Sequence, residues 1–160
     1  MNCLLLGGAY SVGKSEAIYR LAKRFVSKGY LITAGFIPPS FEDFKVVLEG
    51  NDRLGEKIRI IINSPTDTVE IINQFKIFYD SNFNGNGYNL LISSVRDDNF
   101  WPRKDFFRIM EIPSGHDYIL EIPLAKITRR GENFHTALNW YSNKIDALID
   151  DILINSPFNI

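Results

Sequence analysis

Eight consecutive residues near the start of the chain, Gly8, Ala9, Tyr10, Ser11, Val12, Gly13, Lys14 and Ser15, combine two glycines, a lysine and a hydroxyl at a spacing suited to holding phosphate. Each fixed position has a physical reason. Glycine reaches backbone conformations closed to other residues, so successive N–H groups can converge on one anion. A helix opening near Gly13 would add the positive end of its dipole at the same place. Lys14 has the reach for the β- and γ-phosphates of a nucleoside triphosphate, and the Ser15 hydroxyl can ligate a Mg²⁺ ion bound to them. The pattern G-x-x-x-x-G-K-[ST] is met without substitution, and a chance match somewhere in 160 residues is roughly a 1% event.

Such a loop works only between a buried strand and a helix, and the flanks predict both. Residues 2–6 form a short apolar run stopped by Gly7 and Gly8, which reads as a strand. From Gly13 to Lys28 the apolar residues Ile18, Leu21, Ala22, Phe25 and Val26 recur at three- and four-residue spacing, the mark of an amphipathic helix. Gly29 then supplies its C-terminal turn.

Three strand-like segments follow at 30–37, 44–48 and 57–62, separated by Pro38-Pro39 and by a Gly50, Asn51, Asp52, Gly55 cluster. So little chain between them leaves no room for a crossover helix, so at least one antiparallel pair is expected. Ser64 and Pro65 look like the cap and first position of a helix carrying Val69, Ile72, Phe75, Phe78 and Tyr79 on its apolar face. The polar loop 82–87 ends it, and the apolar run 89–95 reads as a buried strand. A short helix over 102–110 and a strand over 118–122 come next. Phe134, Leu138, Tyr141, Ile145, Leu148 and Ile152 step by four and three, predicting a long amphipathic helix across the sheet. With no repeat or linker, residues 1–160 read as a single α/β domain.

Composition bounds the partners. Eighteen Lys and Arg against nineteen Asp and Glu give a net charge of −1, so no global positive field argues for nucleic acid. Residues 1–6 lack a basic leader and are too short for an export signal, and no apolar run approaches a membrane span. One cysteine, Cys3, sits in the first apolar run and fits a reducing compartment. The expected location is cytoplasmic, with no membrane partner.

The Gly8 to Ser15 motif and the strand–helix alternation around it resemble the P-loop nucleoside triphosphatase superfamily. The resemblance implies an α/β fold, a three-layer P-loop sandwich with a mainly parallel sheet, carrying phosphates at the carboxyl ends of its strands. The strand pair expected above is its antiparallel departure. Members also carry a second acidic residue after a hydrophobic strand, which steadies Mg²⁺. Three residues compete for that role: Asp97, just past the run Leu90 to Val95; Asp67, which also falls three residues after Ser64 as a helix-capping residue would; and Glu49, in a polar turn. Asp97 is the choice, alongside Ser15, for the metal. Segment 90–97 loosely resembles the strand–Val-Arg-acid element of small nucleotide kinases, which points to Arg96 as charge for phosphoryl transfer and to Lys14, Arg96 and Asp97 as the catalytic set.

Other residues contribute less. Arg129 and Arg130 sit in a polar stretch that would serve as a lid, and Phe100 and Trp101 as a wall of an acceptor or base pocket. His116 and His135 lack metal-ligand spacing. The guanine-reading Asn-Lys-x-Asp element is absent, which favours ATP over GTP. The expected function is a Mg²⁺-dependent ATP-binding kinase or phosphotransferase acting on an unidentified small-molecule acceptor. The alternatives are an NTPase switch that regulates a protein partner and a non-catalytic nucleotide-binding module.

Overall fold

The apolar run after Met1 forms strand β1 (Asn2–Gly7), in which residues 3–7 are buried. Burial on both sides requires neighbours on both sides. Strand β5 (Leu90–Val95) pairs with it in parallel on one flank and β6 (Ile119–Pro123) on the other. The structure is a computed structural model and describes residues 1–85, 87–112, 118–127 and 134–160.

Between β1 and β5 the chain builds helix α1 (Lys14–Ser27), then the strands β2 (Leu31–Gly35), β3 (Lys45–Asn51) and β4 (Lys57–Asn63), then helix α2 (Val69–Ser81). Helix α3 (Pro102–Ile109) links β5 to β6, and α4 (Phe134–Leu153) closes the series. The six strands form one mixed sheet in the order β2-β3-β4-β5-β1-β6. Strand β3 runs antiparallel to both of its neighbours, so the expected antiparallel pairing is present twice. Strands β4, β5, β1 and β6 are mutually parallel and send their carboxyl ends to one side.

The period-two alternation of the strands sorts their apolar side chains between two clusters. Leu4, Leu6, Ile60, Ile62, Leu90 and Ile92 pack with Ile18, Leu21 and Phe25 of α1 and with Ile145 and Ile149 of α4. Cys3, Leu5, Ile61 and Leu91 pack with Ile72 and Phe75 of α2 and with Phe106 of α3. Ion pairs hold α4 along α1: Arg20 Nε lies 2.7 Å from Asp146, and Arg24 reaches both Asp146 at 3.4 Å and Asp150 at 3.2 Å. Gly29 follows the end of α1 with φ 95°, the left-handed turn that ends the helix at low steric cost.

One sequence expectation is corrected. Helix α2 begins at Val69, and its cap is Thr68, whose side chain accepts from the Ile71 N–H at 3.3 Å, not Ser64. The Ser64 hydroxyl is occupied elsewhere, accepting from Phe44 N at 2.8 Å and donating to Asp43 Oδ1 at 3.2 Å. Residues 64–67 are therefore a loop at the end of β4, which leaves Asp67 outside the helix. Among the described residues, no helix is long and apolar enough to cross a membrane.

Candidate active site

Residues 8–15 turn from the end of β1 into α1. Three of them need left-handed backbone: Gly8 at φ 136°, Ser11 at φ 56° and Gly13 at φ 88°. A side chain at Gly8 would also sit 3.0 Å from the Leu124 carbonyl, so both sterics and dihedral reserve that position for glycine. Gly13 is the N-cap residue of α1 and brings no side chain to its first N–H groups. The loop thus leaves backbone donors and the positive end of a fourteen-residue helix at the carboxyl edge of the parallel strands.

Lys14 is 7% exposed and folds back over its own loop, donating to Gly8 O at 2.8 Å and Ala9 O at 2.7 Å. Its pKa is lowered, first by burial and then by the positive charge of Arg96; Asp67 and Asp97 oppose the shift. The Ser15 hydroxyl donates to Ser64 O at 3.0 Å and so ties the start of α1 to the end of β4.

The end of β4 is in turn pinned to the end of β5. Asn63 Nδ2 donates to Pro65 O at 2.7 Å and lies 3.4 Å from Ser93 Oγ. Thr66 Oγ1 lies 3.0 Å from Ser94 Oγ and donates to Ser94 O at 3.2 Å. All four of these side chains are buried, where an unpaired polar group is costly, so the bonds fix the loop that presents Asp67.

Arg96 follows β5 and is 8% exposed. Its Nη1 bonds Asp67 Oδ1 at 2.8 Å, its Nε lies 3.7 Å from Asp97, and its guanidinium centre lies 4.2 Å from the centre of the Phe100 ring. The Tyr10 ring of the 8–15 loop stands 5.9 Å away on the same cation. A second arginine that sequence reasoning missed, Arg103 of α3, holds this segment from behind. It donates to Arg96 O at 3.1 Å and to both carboxylate oxygens of Glu121 on β6, at 2.9 and 2.7 Å.

The loop and Asp67 border a cleft of about 450 Å³, within the range of small-molecule sites, and Arg96 adjoins it through Asp67 and Tyr10 without lining it. Its lining includes residues 10–15, Asp43, Asp67 and Ser94, with the charged Glu16 and Arg20 of α1. It also includes Leu124, Ala125 and Ile127 and, from α4, Leu138, Tyr141 and Ile145. The Tyr141 hydroxyl accepts from the Ala125 N–H at 2.7 Å, joining these two segments. The cleft thus offers charge and donors for an anion and apolar side chains for a planar group.

The cleft wall thus includes Tyr10, Ser11, Val12, Gly13, Lys14 and Ser15 from the motif, with Gly8 and Ala9 just beneath as carbonyl acceptors for Lys14. Asp67 is part of the wall; Asp97 stands behind it, in reach of Arg96. Glu49 is remote, pairing with Arg59 at 2.8 Å beside a different hollow. Phe100 serves as a platform for Arg96, and neither it nor the half-exposed Trp101 lines the cleft. Arg129, Arg130 and His116 lie outside the described residues. Asp43 and Arg103 carried no local signal, since each reaches its partner through the fold.

No protein-family model matches the chain, and no curated protein and no solved structure matches it either. Function must be read from the chemistry of the cleft itself.

Proposed function

We propose that the protein is a P-loop sandwich that binds ATP with Mg²⁺ on residues 8–15 and transfers its terminal phosphate to a small acceptor. One observation carries the reading. Lys14, Ser15, the start of α1 and Asp67 line one cleft of about 450 Å³ that Leu124, Ile127, Leu138 and Ile145 also line, so anion-binding and apolar groups share one space of small-molecule size. The loop N–H groups and Lys14 would hold the phosphates once Lys14 leaves its own carbonyls. Ser15 and Asp67, two oxygen donors that both line the cleft, would suit a Mg²⁺ site completed by phosphate and water, and Asp97 lies 3.7 Å from the Arg96 that pairs with Asp67. Held there, such an ion would supply positive charge that offsets the phosphates' negative charge. Arg96 supplies further positive charge beside Lys14, where charge on the migrating group needs it.

Calorimetric titration with ATP, ADP and GTP in Mg²⁺, followed by an ADP-release assay with candidate acceptors, tests this. ATP should bind, and Lys14→Ala should weaken it by about ten- to a hundredfold, the scale of lost charge-assisted hydrogen bonds. Among the described residues, Lys14 bonds only its own loop carbonyls, so the variant should remain folded. Undiminished ATP affinity in folded Lys14→Ala would sink the proposal.

A second reading, an NTPase switch acting on a protein partner, is favoured by one relay. Ser15 bonds Ser64, and Ser64 bonds both Phe44 and Asp43, so a change at the metal-binding hydroxyl reaches the segment that carries exposed Phe36 and Phe41. Partner affinity that differs between ATP and ADP states, with no acceptor phosphorylated, would favour the switch.

A further inference from the structure

Arg96 is the buried charge whose setting calls for a ligand. It is 8% exposed, yet its Nε has no hydrogen-bond partner among the described residues, and the 3.7 Å approach of Asp97 is a charge contact too long for one. Its one ionic hydrogen bond runs to Asp67, whose side chain is 47% exposed and forms part of the cleft wall. Native proteins seldom leave a buried donor unmade, so this guanidinium is incompletely used in the ligand-free protein. The neighbouring cation, Lys14, is also spent internally, on Gly8 O and Ala9 O. Both cations, Lys14 in the cleft lining and Arg96 beside Asp67, are thus held by the protein's own oxygens.

We propose that Arg96 and Asp67 form a latch over the phosphate site: Arg96 leaves Asp67 for the terminal phosphate of a nucleoside triphosphate, and the same exchange frees Asp67 for the metal. This rests on the nucleotide-binding reading and adds its regulation. The structure holds the parts of the exchange together. Phe100 supports the guanidinium face at 4.2 Å and Tyr10 of the phosphate loop approaches it at 5.9 Å, so the group can swing from Asp67 toward the loop while keeping aromatic contact. Thr66, bonded to Ser94, keeps the Asp67 backbone in place while its carboxylate changes partner. A diphosphate lacks the terminal group that competes with Asp67. Release of the latch therefore reports the third phosphate, and Arg96 acts as a positioning residue for it.

The latch makes Asp67 an inhibitor without metal and a helper with it. Titrations of ATP and ADP into the wild type, Asp67→Asn and Arg96→Gln, each in EDTA and in Mg²⁺, read this directly. In EDTA, Asp67→Asn should bind ATP about three- to fivefold more tightly than wild type, the size of a half-exposed ion pair. In Mg²⁺ the same substitution should weaken ATP. Arg96→Gln should lose most of the preference for ATP over ADP while ADP affinity holds. Asp67→Asn is partly exposed and keeps its shape, so the test survives if the Arg96 variant fails to fold. Unchanged or weaker ATP binding by Asp67→Asn in EDTA, in a protein whose wild type binds ATP and whose Lys14→Ala does not, overturns the latch alone. A wild type that binds no nucleotide overturns both proposals.

Discussion

Arg103 on α3 grips Glu121 on β6 with two hydrogen bonds of 2.9 and 2.7 Å, and both side chains are largely shielded from water. The same guanidinium supports the Arg96 carbonyl. One ion pair therefore joins the segment behind Arg96 to β6, the strand beside β1 and its 8–15 loop. Hydrogen bonding to Glu121 is the first reason why the Arg103 pKa is raised. Arg103→Ala should lower the free energy of unfolding by about 1–2 kcal/mol, since Glu121 is left without its paired charge. Urea denaturation of the variant checks this, and a change within error would reduce the pair to a surface contact.

The lowered pKa of Lys14 has a sign that can be measured. Below its folded pKa the buried ammonium carries its full desolvation cost, which is lost as pH rises toward 10.5, so this group makes the protein more stable in that alkaline window. Phosphate binding has the opposite dependence, because it needs the protonated form. ATP affinity should fall at a lower pH than an ordinary lysine would give, and Lys14→Arg should move that fall upward. An affinity flat to the ordinary lysine range would show that burial does not perturb Lys14.

Gly8→Ala should harm the loop more than Gly13→Ala. Both positions have positive φ, which costs an alanine about 1 kcal/mol. Only Gly8 also faces backbone, the Leu124 carbonyl at 3.0 Å, while a side chain at Gly13 meets open space. Thermal unfolding and ATP titration of the pair should therefore rank Gly8→Ala below Gly13→Ala in both stability and affinity.

The apolar lining from Leu124 to Ile127 and from α4 predicts how binding energy divides. Leu138→Asp would place a charge against Leu124, Ala125 and Ile127. It should weaken ATP by about tenfold, through loss of apolar contact and cost of a desolvated carboxylate, while leaving inorganic tripolyphosphate unaffected. Equal losses for both ligands would move the base away from α4.

The turn of residues 8–15 between strand and helix was legible because its glycines fall at fixed local spacing, and the elements were legible because apolar period reports strand or helix directly. Predicted segments such as 57–62 and 102–110 lie within one residue of β4 and α3. The rest needed long-range partners. Ser64 before Pro65 satisfies a helix-cap pattern, yet its hydroxyl bonds Phe44 and Asp43, about twenty residues back. That displacement turned Asp67 from a capping residue into a cleft residue, which spacing from Ser64 had no means to reveal. The order of strands, and with it the pairing of Arg103 with Glu121, likewise depends on crossovers that leave no local trace.

The buried polar bonds between β4 and β5 also decide how those strands can align. Each carries an apolar run, Ile60 to Ile62 and Leu90 to Ile92, and sliding one past the other by two residues would keep every side chain on its own face. Hydrophobic contact alone discriminates poorly between such alignments. Asn63 opposite Ser93 breaks the degeneracy, with Thr66 on Ser94 as a second stop, because a slipped pairing would strand these groups unpaired in the interior. The residues that shape the cleft thus act as an index mark for the sheet, and a chain that folds in the wrong alignment cannot present Asp67 at all.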